Sequence, residues 1–365
     1  MKHINVKSET GFIAANGYQN LAFIDALRGV AILMVIITHV NPVTQGVSSL
    51  LSSFCSYGRM GVQLFFVLSA FTLCLTYAGR ANDPNAISKF YIRRYLRIAP
   101  MYYVGILFYT GLVIMEQGVG NIGYVNIAWH LALLHGLNMS AFNNVVPGGW
   151  SIGVEFIFYL IFPLIFKWVN GSLKGIFIVL AVTILVALSL YLYLMYALEI
   201  NVHAYSLGYW NFVNQLPVFI VGFLLYFHFD NFKRNINPIL FGAIFAFATA
   251  ISMLLYLIKP IASTVFIPVA SAISFYALAM LFYQYDFLAL KVLQLIGKVS
   301  FSMYLIHFVV IDIVVALPIN MFVPNVQLLF NYLVVTVITY CLACVTYRFI
   351  ESRGVVLAKT LTRKF

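Results

Sequence analysis

The chain has 365 residues, 63% of them hydrophobic and only 8% charged, with a formal net charge of +11. Soluble domains carry about 25% charged residues, so the composition excludes a soluble enzyme and describes an all-α, polytopic membrane bundle whose basic excess suits loops facing anionic lipid. No basic low-complexity tail or nucleic-acid motif is present, and Cys55, Cys74, Cys341 and Cys344 establish neither a disulfide framework nor a redox compartment.

The first 20 residues are polar, unlike the basic head and immediate apolar core of a signal peptide. Segment 1–23 is therefore read as a cytoplasmic lead-in to a retained first span at about 24–43. That span contains FIDALRGVAILMVIITHV, with Arg28 and His39 eleven positions apart. At about 100° and 1.5 Å per residue, the two lie within roughly 20° of one face and roughly 16 Å apart along the axis. Asp25 sits one turn before Arg28. Ionisable groups inside a span are costly and point to function. Aligned along one helix, these suggest a lined path across the membrane.

A second span at about 60–79 is followed by the connection 80–97 and a third span at about 98–117. The segment FYIRRYLRIAP places Arg93, Arg94 and Arg97 at the start of that third span, at the same membrane face as Arg28. Positive-inside anchoring accounts for such clusters. Guanidinium forks also match phosphate oxygens, which suits a polyanionic cytosolic ligand.

Segment 124–138, with His130 and His135, is too short and polar to be a comfortable span. Charge decides its place. If it does not cross, 19 of the 21 lysines and arginines fall on one side, and only Arg59 and Lys259 on the other. The segment is thus expected to be interfacial or re-entrant, in a ten-span chain with both termini cytoplasmic.

The fourth span, about 150–168, begins VPGGWSIGVEFIFYLIFP and puts Ser151, Glu155 and Tyr159 on one face. The alternative to a functional carboxylate is a protonated, hydrogen-bonded acid. Spans at about 174–198 and 210–229 follow, the latter with Asn211, Asn214 and Gln215 near its outer end. These amides suit a sugar-like acceptor or serve as interhelical glue. After spans at about 237–257 and 262–283, the ninth, about 300–319, carries Ser300, Tyr304 and His307 on one face. The tenth, about 328–350, holds the Cys341/Cys344 pair, read as small core residues because no His or acid accompanies it. A basic cytoplasmic tail, 352–365, closes the chain.

Taken together, Arg28 and His39, the Arg94/Arg97 pair, GRMGVQLFFVLSAFTLC, WSIGVEFIFYLIFP and VSFSMYLIHF resemble, in order over about residues 24–351, segments of the acyltransferase 3 family of membrane acyltransferases. Gln63 stands where that family usually has an acid, and Ala70 where it usually has glycine. The resemblance implies a ten-span membrane domain of the stand-alone type, lacking an extracytoplasmic hydrolase-like domain. It implies transfer of an acyl group, usually acetyl, from cytosolic acyl-CoA to a hydroxyl of a cell-envelope carbohydrate or lipid-linked glycan. By the same resemblance His39 is the base, and Arg28, Arg94 and Arg97, with Arg93 beside them, serve the donor. Glu155 is expected to orient His39, while Asp25, Ser151, Tyr304, His307 and Asn211 support the site or the acceptor. The expected partners are acyl-CoA, the glycan and membrane lipid, in a bacterial cytoplasmic membrane, with no metal and no nucleic acid. A proton-coupled transporter is the rival reading. It explains intramembrane His and Glu equally well, but not the gathering of arginines at one face.

Overall fold

A computed structural model describes residues 21–169, 171–197, 207–232, 236–259, 262–317 and 321–363. Most of the expected lead-in, residues 1–20, and the last two residues lie outside the described residues. All regular elements among the described residues are helical. In chain order they are α1 (Ala22–Val40), α2 (Ser49–Tyr57), α3 (Gly61–Ala78), α4 (Ala86–Gln117), α5 (Tyr124–Leu131), α6 (Gly149–Val169), α7 (Leu173–Leu192) and α8 (Leu207–Trp210). Then come α9 (Phe212–Phe232), α10 (Pro238–Ile258), α11 (Ser263–Gln284), α12 (Lys291–Lys298), α13 (Ser300–Ala316), α14 (Pro324–Thr346) and α15 (Ser352–Arg363).

Nine of the described helical stretches are long and apolar enough to cross a membrane, and the bent pair α12–α13 makes ten. These match the ten expected spans, with differences at their ends. The third span starts at Ala86, twelve residues before the expected 98, so all three cluster arginines lie on α4 itself. The ninth is broken at Val299 by a 78° bend. Segment 352–365, expected as a tail, is helical through Arg363 and lies on α4: a Cβ on Gly354 would overlap Pro100 Cγ at 2.9 Å. Segment 124–138 forms the short α5 and a 3-10 turn, His135–Leu137, not a span.

The spans sort by burial. The windows of Ser49–Ala78 and Ser263–Gln284 are 72% buried, so these two sit at the centre, whereas Leu173–Ala197 and Pro238–Ile258 are 22% buried and peripheral. Phe66, Phe158, Phe162, Phe219 and Phe223 are all but fully buried, and Phe158 stacks on Phe219 with ring centroids 4.0 Å apart. With no hydrophobic drive between helices in lipid, close approach through small residues and polar contacts holds the bundle. At the crossing of α1 and α12, a Cβ on Gly29 would fall on the Leu293 carbonyl and one on Gly297 on that of Asp25. This contact seats α12 beside Asp25 and Arg28.

Candidate functional site

One cavity collects side chains from α1, α3, α4, α6 and α13. Arg28, Ser69, Thr72, Arg94, Arg97, Ser151, Glu155, Tyr159, Ser300 and Tyr304 line it, and its empty volume of about 770 Å³ includes an opening to solvent. Arg28, Arg94, Arg97, Ser151, Glu155 and Tyr304, picked out on four separate segments, therefore share one space.

Each arginine is held differently. Arg28 lies 3.8 Å from Asp25, an ion pair along α1 that makes Asp25 a support for Arg28. Arg97 lies 3.0 Å from Glu351, a side chain 1% exposed whose other oxygen accepts a 2.9 Å bond from Ser302. Arg94 donates from Nη2 to Thr76 Oγ1 at 2.9 Å, and its guanidinium lies over the Phe90 and Tyr159 rings. The Nε of Arg94 is buried without a hydrogen-bond partner among the described residues. An unpaired buried charged donor is costly, so this atom is suited to an anionic oxygen arriving in the cavity. Arg93 points elsewhere, donating to Thr362 Oγ1 of α15 at 3.2 Å. It lines a second recess with Thr76, Arg80 and Phe90, which meets the main cavity at Arg94.

Further along the cavity, Oε1 of Glu155 accepts from Ser69 and, at 2.6 Å, from Tyr159. These hydroxyls satisfy the carboxylate within α6 and α3. The expected contact between Glu155 and His39 is not formed, because Glu155 faces the cavity from α6 while His39 abuts α13. Ser151 donates to the Tyr304 hydroxyl at 2.8 Å, which in turn donates to the Gly148 carbonyl at 3.0 Å. Gly148 has φ +74°, and a Cβ there would approach Phe308 to 2.9 Å. Glycine is needed for both the turn and the fit.

Beyond Tyr304 lies the histidine pair. The His307 ring centroid is 5.7 Å from that of Tyr304, and its Nε2 is 3.3 Å from His39 Nδ1. His39 Nδ1 is also 2.9 Å from the Val35 carbonyl. A carbonyl only accepts, so Nδ1 carries the proton and Nε2 of His39 keeps its lone pair. His307, Phe308 and Val35 thus fix the ring orientation that Glu155 was expected to fix.

Asn211 and the two histidines of segment 124–138 are engaged within the fold. Asn211 spends its amide locally, donating to the Gly208 carbonyl and accepting from the Asn214 amide at the start of α9, and it is buried. It organises a helix entry, which is a supporting role. His130 and His135 are fully buried and stacked with centroids 4.0 Å apart. Tyr102 donates to His130 Nδ1 at 2.7 Å, and His130 Nε2 donates to the Ala141 carbonyl at 2.7 Å. His135 Nε2 donates to the Gly149 carbonyl at 2.8 Å, tying this segment to the start of α6. Burial pulls His130 down to about 4, and burial together with the neighbouring His130 pulls His135 down to about 3.

Glu351 and Ser69 were missed by sequence reasoning. Glu351 is an acid at the end of an apolar run and met the criterion applied to Glu155, but the surrounding basic residues of YRFIESRG masked it. Ser69 carries no sequence signal, since its role depends on α6 lying opposite.

The acyltransferase domain family matches residues 21–348. O-acetyltransferase OatA of Staphylococcus aureus (strain NCTC 8325) is 26% identical over 362 residues, covering 90% of this chain and 56% of that protein. A putative O-acetyltransferase of Staphylococcus aureus (strain COL) is 25% identical over 373 residues, covering 94% of this chain and 58% of that protein. The chain thus spans a little over half the length of these relatives. No solved structure matches it.

Proposed function

The chain belongs to the acyltransferase 3 family, and from that premise we propose that it moves an acetyl group from acetyl-CoA to a hydroxyl of a cell-envelope carbohydrate, with His39 as general base. The observation that carries this reading is the arginine-lined cavity that begins at Arg28, Arg94 and Arg97 and reaches Tyr304, beside the His307–His39 pair.

The donor's phosphates meet the guanidinium groups, with the unpaired Arg94 Nε as one donor and the Arg80–Arg93 recess as room for a further phosphate. The pantetheine arm follows the cavity past Glu155. At its far end, Nε2 of His39 removes the proton from the acceptor hydroxyl as its oxygen attacks the thioester carbonyl. The tetrahedral intermediate collapses, the C–S bond breaks, and the imidazolium returns its proton to the departing thiolate. The Val35 carbonyl and His307 Nε2, both near Nδ1, stabilise that imidazolium. Glu155, satisfied by two hydroxyls, holds the cavity wall and balances the arginine charge.

The test uses purified protein reconstituted in sealed lipid vesicles with radiolabelled acetyl-CoA and envelope glycan. Label is expected in the glycan as an alkali-labile ester. Accumulation of label inside protein-bearing vesicles, without any ester, would favour the transporter and overturn the proposal.

A further inference from the structure

Beyond Glu155, the arginine cavity holds two hydroxyls that the transfer steps leave unused. Ser151 of α6 and Tyr304 of α13 line the cavity, and each residue is 6% exposed. Ser151 Oγ lies 2.8 Å from the Tyr304 hydroxyl and 3.1 Å from the Gly148 carbonyl, and the Tyr304 hydroxyl lies 3.0 Å from that same carbonyl. The carbonyl only accepts, so the two hydroxyl protons have two arrangements. In one, Ser151 donates to Tyr304 and Tyr304 donates to Gly148. In the other, Ser151 donates to Gly148 directly, and the Tyr304 proton is free for another acceptor. The Gly148 carbonyl keeps a donor in both, so freeing that proton leaves no buried acceptor unpaired.

Other hydroxyls on the cavity wall are held more firmly. Ser69 and Tyr159 both donate to the Glu155 carboxylate, and hydrogen bonds to an ionised acceptor are the stronger kind. Tyr304 also stands close to the surroundings of His39. A Cβ on Gly148 would lie 3.1 Å from the Tyr304 hydroxyl and 2.9 Å from Phe308 Cε2. The Phe308 ring in turn packs on His39 with centroids 4.6 Å apart.

We propose that Tyr304 is the oxyanion donor of the acetyl transfer, with Ser151 as its positioning partner. As the acceptor oxygen attacks the thioester, the π pair of the carbonyl moves onto its oxygen. The Tyr304 O–H donates a hydrogen bond to that oxyanion and keeps its proton, while Ser151 shifts its own donation to Gly148. On collapse the pair returns, the C–S bond breaks, and the thiolate takes its proton from the His39 imidazolium. A donor placed where charge develops stabilises the transition state more than the ground state, so it acts on kcat and not on donor binding. This assignment rests on the acetyltransferase reading and adds to it the group that bears the carbonyl charge.

Tyr304→Phe keeps the ring and leaves Ser151 to serve Gly148. In the full chain reconstituted in lipid vesicles it should lower kcat by about 10²–10³-fold, the effect of removing one oxyanion donor, with acetyl-CoA affinity unchanged. Ser151→Ala should lower kcat by about threefold to tenfold, as for one neutral hydrogen bond. The double variant should lose no more than Tyr304→Phe alone, because Ser151 acts through Tyr304. Calorimetry with S-trifluoroacetonyl-CoA, a ketone that hydrates to a tetrahedral centre, tests the same contact without turnover. Tyr304→Phe should weaken its binding by at least about tenfold and leave that of S-ethyl-CoA, which has no carbonyl, unchanged. A purely structural Tyr304 weakens both ligands alike or neither. Either of those results, or a Tyr304→Phe protein with kcat within about threefold of wild type, overturns the proposal. Ester formation by the wild-type chain is scored separately: its absence fails the acetyltransferase reading, whereas normal transfer with no effect of Tyr304→Phe fails the oxyanion assignment alone.

Discussion

The proposed base, His39, has two neighbours of different kinds at Nδ1. The Val35 carbonyl is four residues back on the same helix, so the helical repeat alone delivers it. His307 comes from 268 residues away, and only the docking of α13 on α1 brings it within 3.3 Å. Replacing His39 with Ala is expected to lower kcat by at least about 10²-fold with donor affinity retained, measured by steady-state kinetics on protein that stays monodisperse. Arg94→Ala is expected to weaken acetyl-CoA binding by about 1.5–3 kcal/mol, the worth of a charged hydrogen bond. Arg94→Lys should recover only part of this, because the ammonium lacks the planar fork. Titration calorimetry with acetyl-CoA reads both, and wild-type affinity in the alanine variant would reduce Arg94 to a topology anchor. Arg93 is expected to matter less, since it is engaged with Thr362 outside the main cavity.

At the scale of elements, two attachments hold the site open. At the end of α14, Glu351 joins Arg97 of α4 to Ser302 of α13. Glu351→Gln keeps an acceptor for Ser302 but removes the charge that holds Arg97. Donor KM should rise, by less than in Arg97→Ala, where the guanidinium itself is gone. The second attachment is the His130–His135 stack that pins segment 124–148 to the start of α6 through the Gly149 carbonyl. Both imidazoles are neutral donors in the fold and titrate below their ordinary value of about 6.5. The unfolded chain therefore takes up protons first as pH falls. Their contribution to stability is full above about pH 6.5 and is lost as pH drops toward about 4 and then 3. Thermal unfolding in detergent should show Tm falling across that window. His130→Gln should start lower at neutral pH and show a shallower slope.

For the molecule as a whole, Arg28 stands in the first half of α1 and His39 in its last turn. Donor and acceptor are then expected to arrive from opposite faces. In sealed vesicles of uniform orientation, acetyl-CoA supplied only at the face bearing Arg94 should acetylate a glycan confined to the other. Acetylation only when both substrates share a compartment would exclude transfer through the membrane and require His39 to be reached from the arginine side.

The ten spans were legible because lipid admits few solutions: an apolar run of about 20 residues must be a helix that satisfies its own backbone. The Arg28–His39 register and the polar faces of α6 and α13 followed from the helical period alone. Sequence by itself thus determined the class of fold, the faces and the polar residues worth watching. It could not decide partnership, because the chemistry of a pair depends on which helices touch, and in lipid that rests on close approach at glycines such as Gly29 and Gly297 and not on a period along one chain. Tertiary structure alone therefore gave Glu155 to Ser69 and Tyr159, gave His39 to His307, turned Asn211 inward as a cap, and paired Arg97 with Glu351.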